Sequence, residues 1–296
     1  MNLGINLCFA VKRYLEPESW AQFVAEDLGL STVQFTFDLL DPWWPERERD
    51  SLIQGVVKAA DAFRLDIASA QVGLGHYLPG GLLDPSRDAR AVAAAWWRRA
   101  CDVAGALGAS AIGGPLGTLS VADGASREAR ARRYDELLQA VTAITEHARA
   151  AGLRRLLIEP TPIAREIPST IYQSQQLVTD LAATAVIDVA LTLDVGHTVY
   201  EPLYGPSATT REWIDALGAT IGMVHLDNTD RHGDPHWGWP DERGTIDVAD
   251  LGADLRTAGL GDVSVILEVY PRFEDDDIQV RALIASSVTH CRAALS

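Results

Sequence analysis

A short apolar run followed by a longer amphipathic stretch recurs eight times along this chain of 296 residues. The short runs are rich in aliphatic and β-branched residues, as buried strands are, whereas the longer stretches space their apolar residues three or four apart, as helices do. The predicted strands are Leu3–Leu7, Thr32–Phe37, Leu65–Gln71, Ser110–Gly113, Arg155–Glu159, Ala190–Asp194, Gly222–Leu226 and Ser264–Val269. The predicted helices are Pro17–Gly29, Pro45–Phe63, Ser86–Gly108, Arg127–Gly152, Ser169–Thr184, Thr209–Gly218, Val248–Gly259 and Asp276–Leu295.

Strands that alternate with helices pair in parallel through right-handed crossovers, and eight such units are the number that closes a (β/α)8 barrel. Glycine ends five of the predicted helices just before the next strand, where a left-handed cap residue is favoured. These are Gly29, Gly108, Gly152, Gly218 and Gly259. We therefore predict an α/β fold with a single TIM-barrel domain over residues 1–296. An open doubly wound sheet is the alternative, but the residues after Leu7 are Cys-Phe-Ala-Val-Lys-Arg and not a glycine-rich phosphate turn.

The charge balance bears on the partners of the chain. The 41 acidic residues exceed the 25 lysines and arginines, which gives a net charge of −16, and such a surface repels nucleic acid and anionic membranes. No segment approaches the roughly 20 apolar residues of a spanning helix, and no export signal is evident. Three distant cysteines, Cys8, Cys101 and Cys291, fit neither a disulfide framework nor a metal knuckle. We expect a cytoplasmic protein with reduced, buried thiols.

Ionisable residues stand at the ends of four consecutive predicted strands, where the active site of a TIM barrel lies. Strand five ends in Glu159, strand six in Asp194 with His197 three residues on, strand seven in His225 and strand eight in Glu268. Barrel closure brings these side chains around one pocket. Three carboxylates in one cleft repel one another unless a cation is present. The set of oxygens with one imidazole suits a single divalent ion, Mn²⁺, Mg²⁺, Co²⁺ or Zn²⁺.

The segments LLIEP, LTLDVGH, MVHLDNTDR, GTID and VILEVY, in this order, resemble the xylose isomerase-like sugar isomerase/epimerase superfamily, which also contains type IV apurinic endonucleases. The pattern is similar to that of ketose 3-epimerases of the tagatose/psicose type, which carry Glu, Asp-x-x-His, His followed six residues on by Arg, and Glu. The matching residues are Glu159, Asp194 with His197, His225 with Arg231, and Glu268. The opening LGINLCFAVKR is similar to the tetrulose-phosphate epimerases.

The resemblance implies that Glu159, Asp194, His225 and Glu268 hold the metal, and that the two glutamates act as base and acid on opposite faces of a ketose. A cation at the C2 oxygen and the C3 hydroxyl stabilises the enediolate that forms when the C3 proton leaves. His197 and Arg231 are expected to donate hydrogen bonds to the substrate. The predicted activity is a 3-epimerase acting on a ketose or ketose phosphate.

Further residues are candidates for contacts with a sugar or sugar phosphate. His76 follows the third strand in the sequence GLGHY, and Lys12 with Arg13 follows the first strand, where they could receive a phosphate. Trp43, Trp44, Trp237 and Trp239 are expected in loops. Residues 232–244, rich in Trp, Pro and charge, form an insertion that closes over a small substrate or packs across a dimer. The family resemblance also implies a homo-oligomer.

Three other functions remain open. An aldose–ketose isomerase would use the same site to move a proton between C1 and C2. A phosphodiester hydrolase of the endonuclease type would need two or three metals, toward which Asp230, His232, Asp234 and His236 could count. However, the second strand end, QFTFD, lacks a His and the fourth, AIGGP, lacks a Glu. A noncatalytic sugar-binding barrel is the third possibility, and the retained carboxylates argue against it.

Overall fold

A computed structural model describes residues 1–296. Eight parallel strands hydrogen-bond in sequence order and close into a barrel in which the first strand pairs with the last. The predicted TIM barrel is therefore confirmed. The strands are β1 (Asn2–Asn6), β2 (Thr32–Thr36), β3 (Asp66–Gln71), β4 (Ala111–Gly114), β5 (Arg155–Ile158), β6 (Asp188–Asp194), β7 (Ile221–Leu226) and β8 (Ser264–Leu267).

All eight predicted helices are present, with ends that shift by one to a few residues, and they surround the barrel. They are α1 (Pro17–Gln22), α2 (Glu46–Phe63), α4 (Arg87–Ala106), α6 (Arg127–Ala150), α7 (Ile171–Ala182), α10 (Thr210–Leu217), α11 (Val248–Thr257) and α12 (Asp277–Leu295). The first predicted helix is α-helical only to Gln22 and continues as a π-helix over Phe23–Asp27. No helix is both long and apolar enough to cross a membrane.

Four short helices lie in loops that follow strands, and the sequence pattern did not predict them. They are α3 (Leu74–Tyr77), α5 (Val121–Ala125), α8 (Val195–Thr198) and α9 (Glu201–Tyr204). A helix of about one turn is too short to show an apolar period. The chain after β1 also turns early, because the side chain of Asn6 accepts a hydrogen bond from the Cys8 N–H and starts a 3-10 helix at Leu7.

The five glycines expected to end helices all have a positive φ, between 48° at Gly218 and 89° at Gly152. The positive φ values agree with the predicted caps, except that the ψ of −127° at Gly218 lies outside the left-handed helical region. The helix α2 ends at Arg64, which has a φ of 56° and a ψ of 44°. The backbone of Arg64 therefore adopts the left-handed region, which glycine adopts more easily.

A large apolar core fills the space between strands and helices. A smaller apolar cluster of Ala111, Leu157, Ala190, Met223 and Ile266 fills the barrel itself. Gln34 donates a hydrogen bond to the Met223 sulfur at 3.2 Å.

The three cysteines are free and buried, as predicted. Burial raises the pKa of Cys101 and of Cys291 to about 12. Both thiols therefore stay protonated and unreactive at neutral pH.

Candidate metal centre and active site

The four predicted metal ligands come together at the carboxyl end of the barrel. Glu159 follows β5, Asp194 ends β6, His225 lies in β7 and Glu268 follows β8. One nitrogen or oxygen atom from each side chain lies within 4.8 Å of those of the other three, and all four residues are buried. The arrangement follows from barrel closure, which places four distant sequence positions on neighbouring strands.

Both glutamates are held by an amide from another strand. Gln71, at the end of β3, donates a hydrogen bond from Nε2 to Oε2 of Glu159 at 2.6 Å. Asn6, at the end of β1, donates from Nδ2 to Oε1 of Glu268 at 2.7 Å. Each glutamate thus has one oxygen fixed by the protein, whereas the other oxygen faces the shared centre. Such partners orient metal ligands and are important for affinity.

Asp194 shows the same division of its oxygens. Its Oδ1 accepts a hydrogen bond from the backbone N–H of His197 at 2.9 Å and so caps α8. Its Oδ2 is buried and has no hydrogen-bond partner, and neither ring nitrogen of His225 has one. Nδ1 of His225 nevertheless lies 2.8 Å from Oε2 of Glu268 and 3.3 Å from Oε1 of Glu159.

These unpartnered buried atoms converge, and their chemistry fits a divalent cation. Buried polar atoms without partners are costly unless an ion or ligand satisfies them. Three carboxylate oxygens and one imidazole nitrogen are ligands that Mn²⁺, Mg²⁺, Co²⁺ and Zn²⁺ accept. The donor set therefore fits the predicted metal.

Without a cation, the neighbouring carboxylates raise the pKa of His225. Burial lowers the pKa of this imidazole, but the negative charges of Glu268 and Glu159 outweigh that effect and raise it to about 10. A proton on His225 and a metal ion at the centre compete for the same ring nitrogen.

His197, predicted to contact substrate, lies beside the four-residue centre. Its ring is 7% exposed, with Nδ1 3.0 Å from the carbonyl oxygen of Pro160 and Nε2 3.2 Å from Oδ2 of Asp234. Nδ1 is also 3.9 Å from Oε1 of Glu159. Burial opposes protonation, yet the carboxylates of Asp194 and Asp234 raise the pKa of His197 well above its usual value. Both ring nitrogens therefore have protein partners, and the ring lies at the edge of the four-residue centre.

The insertion at 232–244 contributes two pocket residues that we did not assign to the epimerase site, Asp234 and His236. Backbone hydrogen bonds between Asn228 and Trp237, 2.9 and 3.0 Å long, turn the chain back toward the barrel. Nε2 of His236 lies 3.2 Å from Oδ1 of Asp234, and its Nδ1 lies 3.7 Å from Oε2 of Glu268. The backbone of His236 is left-handed, with a φ of 45°. The only signal in the sequence was an Asp-x-His motif within a polar loop.

Several of these residues, but not Asp194 or His225, line a narrow pocket, named here the metal pocket, with a volume of about 70 Å³. Glu159, His197, His236 and Glu268 line it together with Tyr77 and Tyr270. Burial raises the pKa of the Tyr270 hydroxyl well above its usual value, and nearby acidic groups raise it further. The tyrosine is therefore present as the neutral phenol.

Arg231 does not reach the metal pocket, in contrast to the prediction. Its Nε lies 2.9 Å from Oε1 of Glu201, and its Nη2 donates hydrogen bonds to the carbonyl oxygens of Pro206 and Ala208 at 3.0 and 2.9 Å. The carboxylate belongs to the first residue of α9, and the two carbonyl groups belong to the segment between α9 and α10. The structure gives Arg231 the contacts of a loop-stabilising residue.

His76 and Lys12 also lie outside the metal pocket. The His76 ring stacks on Trp96 with centroids 4.3 Å apart, and its Nε2 lies 3.2 Å from Oδ1 of Asp41. The Lys12 ammonium lies 4.6 Å from the centre of the Phe273 ring. Each side chain therefore has a local partner that draws it away from the four-residue centre.

The closed barrel and the carboxylate–histidine centre at its carboxyl end define a class of sugar-converting TIM-barrel enzymes. Residues 23–286 match the family model of the xylose isomerase-like TIM barrels, so the chain belongs to this family. The predicted resemblance is thereby confirmed, as is the prediction that the chain is an enzyme of the isomerase class.

Three relatives illustrate the match. A crystal structure from Rhodospirillum rubrum ATCC 11170, provisionally described as a xylose isomerase, is 35% identical, covers 99% of each chain and has a TM-score of 0.96. The protein named D-erythrulose 1-phosphate 3-epimerase from Brucella abortus (strain 2308) is 25% identical over 97% of this chain and 94% of its own length. A structure of D-psicose 3-epimerase with D-tagatose from Clostridium cellulolyticum H10 covers both chains completely, with a TM-score of 0.75 and 17% identity, and shows the common fold.

Proposed function

We propose that this protein is a metal-dependent 3-epimerase of a ketose or ketose phosphate. The observation that carries the proposal is the pair Glu159 and Glu268, which follow strands three places apart in the barrel ring and each direct one oxygen to the same centre. Inversion at a carbon next to a carbonyl needs a base on one face of the substrate and an acid on the other. The two glutamates supply that arrangement.

Glu159, Asp194, His225 and Glu268 would hold the divalent ion. When bound, the ion polarises the ketose carbonyl and lowers the energy of the enediolate charge. One glutamate removes the proton from C3, and the opposite glutamate returns a proton to the other face of the same carbon. Proton transfer of this kind contributes roughly 10²–10⁴-fold in rate.

The surrounding residues keep the two glutamates in position. The amides of Gln71 and Asn6 fix one oxygen of each glutamate, which leaves the second oxygen for the metal and the substrate. His197 would donate a hydrogen bond to the oxygen at which negative charge develops by exchanging the Asp234 carboxylate for the substrate at Nε2. The buried position of all these groups excludes bulk water from the proton transfer.

The named activity of the Brucella abortus relative, a 3-epimerase of a four-carbon ketose phosphate, supports the proposal across nearly the whole chain. The decisive experiment incubates the enzyme with Mn²⁺ or Mg²⁺ in D₂O and a panel of tetruloses and hexuloses, free and phosphorylated, and follows them by NMR. We expect deuterium at C3 together with inverted configuration. A substrate that is bound but never exchanges its C–H protons would overturn the proposal and indicate a sugar-binding protein.

An aldose–ketose isomerase remains the second candidate, because the Rhodospirillum rubrum relative is provisionally described as a xylose isomerase at 35% identity. The same centre would then move the proton between C1 and C2. Deuterium at C1 with a change from ketose to aldose in the NMR experiment would favour this reaction.

A phosphodiester hydrolase is the third candidate, because two of the four loop residues counted toward it, Asp234 and His236, lie in the pocket. Ligand atoms of Asp227, Asp234 and His236 also lie within 4.8 Å of one another. Elemental analysis of the purified protein separates the cases. About one metal per chain agrees with the epimerase, and two or three together with cleavage of a phosphodiester would favour the hydrolase.

A further inference from the structure

A second cavity adjoins the metal pocket and has no part in the mechanism above. Its volume is about 340 Å³, and it shares three lining residues, Val72, Tyr77 and Pro115, with the metal pocket. The Tyr77 hydroxyl donates a hydrogen bond to Oε1 of Glu166 at 3.0 Å, which holds the ring between the two spaces. A molecule bound at the centre could therefore extend past Tyr77 into this cavity, named here the aromatic cavity.

The walls of the aromatic cavity combine flat apolar faces with polar groups. Trp43, Trp96, Trp97 and His76 provide the faces, and Asp84 provides a carboxylate. Aromatic rings pack on apolar C–H surfaces and, in indole, retain a polar N–H. A sugar ring offers both an apolar C–H face and hydroxyl groups that match such walls.

One buried donor in a residue that lines the aromatic cavity lacks a partner. Nε1 of Trp96 is buried and has no acceptor, although the residue is only 4% exposed. The indole N–H of a buried tryptophan usually finds a hydrogen-bond partner. Because this atom is closed off from the cavity in the structure, a hydroxyl oxygen of a bound molecule would accept from it after a small movement of the indole ring.

The volumes of the two cavities also support a ligand site in the aromatic cavity. The metal pocket, at about 70 Å³, lies far below the roughly 300–1,000 Å³ of small-molecule sites, whereas the aromatic cavity lies within that range. We propose that the aromatic cavity is a second carbohydrate subsite and that the substrate is a ketose carrying a glycosyl group beyond its reacting carbons. This inference rests on the proposed function, since the ketose end occupies the metal centre.

The test compares two sugars with the same reacting end. Isomaltulose is fructose with a glucosyl group on O6, and fructose lacks that group. Binding to the Mn²⁺-loaded protein is measured by calorimetry, and C3 deuterium exchange is followed separately by NMR. We expect isomaltulose to bind about tenfold more tightly than fructose, from stacking and one hydrogen bond.

Two adjacent tryptophans offer a matched pair of variants. Trp43 lines the aromatic cavity and is 45% exposed, whereas Trp44 is 43% exposed and lines a different cavity. Trp43→Ala should remove most of the preference for isomaltulose, and Trp44→Ala should retain it. Trp96→Phe, which deletes only the unpartnered N–H and part of the ring, should weaken isomaltulose binding without changing that of fructose.

The possible outcomes test the proposed subsite independently of the proposed epimerase activity. Equal affinity for the two sugars, no measurable isomaltulose binding, or equal effects of the Trp43 and Trp44 substitutions would overturn the subsite, whatever the exchange result. A change in oligomeric state on Trp43→Ala without a change in sugar preference would also overturn it and assign Trp43 to a subunit contact. Trp43-dependent binding without C3 exchange would instead support the subsite and contradict the epimerase.

Discussion

Gln71 donates a hydrogen bond of 2.6 Å to Oε2 of Glu159, and this contact connects the ends of two strands that are not neighbours in the barrel. The other amide atom of Gln71, Oε1, is buried without a partner. The hydrogen bond to Glu159 is therefore the one polar contact that a substitution of Gln71 would remove.

We expect Gln71→Leu, which keeps a similar side-chain volume, to lower the affinity for Mn²⁺ by about 10–100-fold, since Glu159 loses the group that orients it. Calorimetric titration of the metal-free protein measures the effect. Gln175→Leu serves as the control, because Gln175 is exposed and bonds only the Ala216 carbonyl oxygen. Equal metal affinity in the two variants would contradict the assigned role of Gln71.

Replacement of either proposed catalytic glutamate should lower turnover strongly while the fold persists. Glu159→Gln and Glu268→Gln each keep the size of the side chain and remove a proton acceptor, so we expect a loss of at least about 10²–10⁴-fold in kcat/KM. Circular dichroism and the rate of C3 deuterium exchange measure fold and chemistry separately. Glu274→Gln, at an exposed position, is the control. Wild-type exchange in either pocket variant would remove that glutamate from the mechanism.

Metal binding should release a proton from His225. The carboxylates around this ring raise its pKa to about 10 in the absence of a cation, so at neutral pH the ring must lose its proton before its nitrogen binds metal. Metal affinity should therefore fall as the pH falls, by about tenfold per pH unit below that pKa. Calorimetry of Mn²⁺ binding in buffers of different ionisation enthalpy measures the number of protons released. The release should disappear in His225→Asn. It should persist in the control variant His290→Asn.

The same pKa fixes the sign of a stability effect in the metal-free protein. A pKa raised by folding means that the protonated ring stabilises the fold fully below the unfolded pKa of about 6.5, and that this contribution is lost as the pH rises through about 10. Denaturant unfolding of the metal-free protein should therefore show lower stability at pH 10 than at pH 7. An unchanged or higher stability at pH 10, compared with His225→Asn, would show that the carboxylates do not hold the proton there.

Substitution of Arg231 should affect stability more than catalysis. Arg231→Ala removes an ion pair with Glu201 and two hydrogen bonds to backbone carbonyls, which should lower the free energy of unfolding by about 1–3 kcal/mol. We expect kcat/KM to change by less than tenfold. Glu201→Gln should reproduce part of the loss in stability. A large loss of kcat/KM with an unchanged free energy of unfolding would instead indicate that Arg231 contacts the substrate.

The barrel and the four-residue centre could be predicted because both depend on strong local patterns. The repeated unit of strand and helix determines the fold class, and parallel strands necessarily bring their carboxyl ends to one face. Glu159, Asp194, His225 and Glu268 end or follow the strands themselves, so their approach required no knowledge of loop conformation. The glycine caps were equally local features.

Contacts made by loops could not be predicted in the same way. The return of Asp234 and His236 to the pocket depends on a left-handed backbone at His236 and on the pairing of Asn228 with Trp237, neither of which has a periodic signal. The spacing from His225 to Arg231 matched the expected pattern, yet Glu201 and nearby carbonyl groups hold the guanidinium elsewhere. Loop conformation, and not residue type, determines which of these side chains face the substrate.

The last of the four proposed metal ligands, Glu268, directly follows β8, and β8 is also the strand that closes the ring against β1. During synthesis the nascent chain can therefore carry no complete cation site until residue 268 has left the ribosome. Ring closure and completion of the proposed cation site fall at the same late stage, so a chain truncated before β8 lacks both.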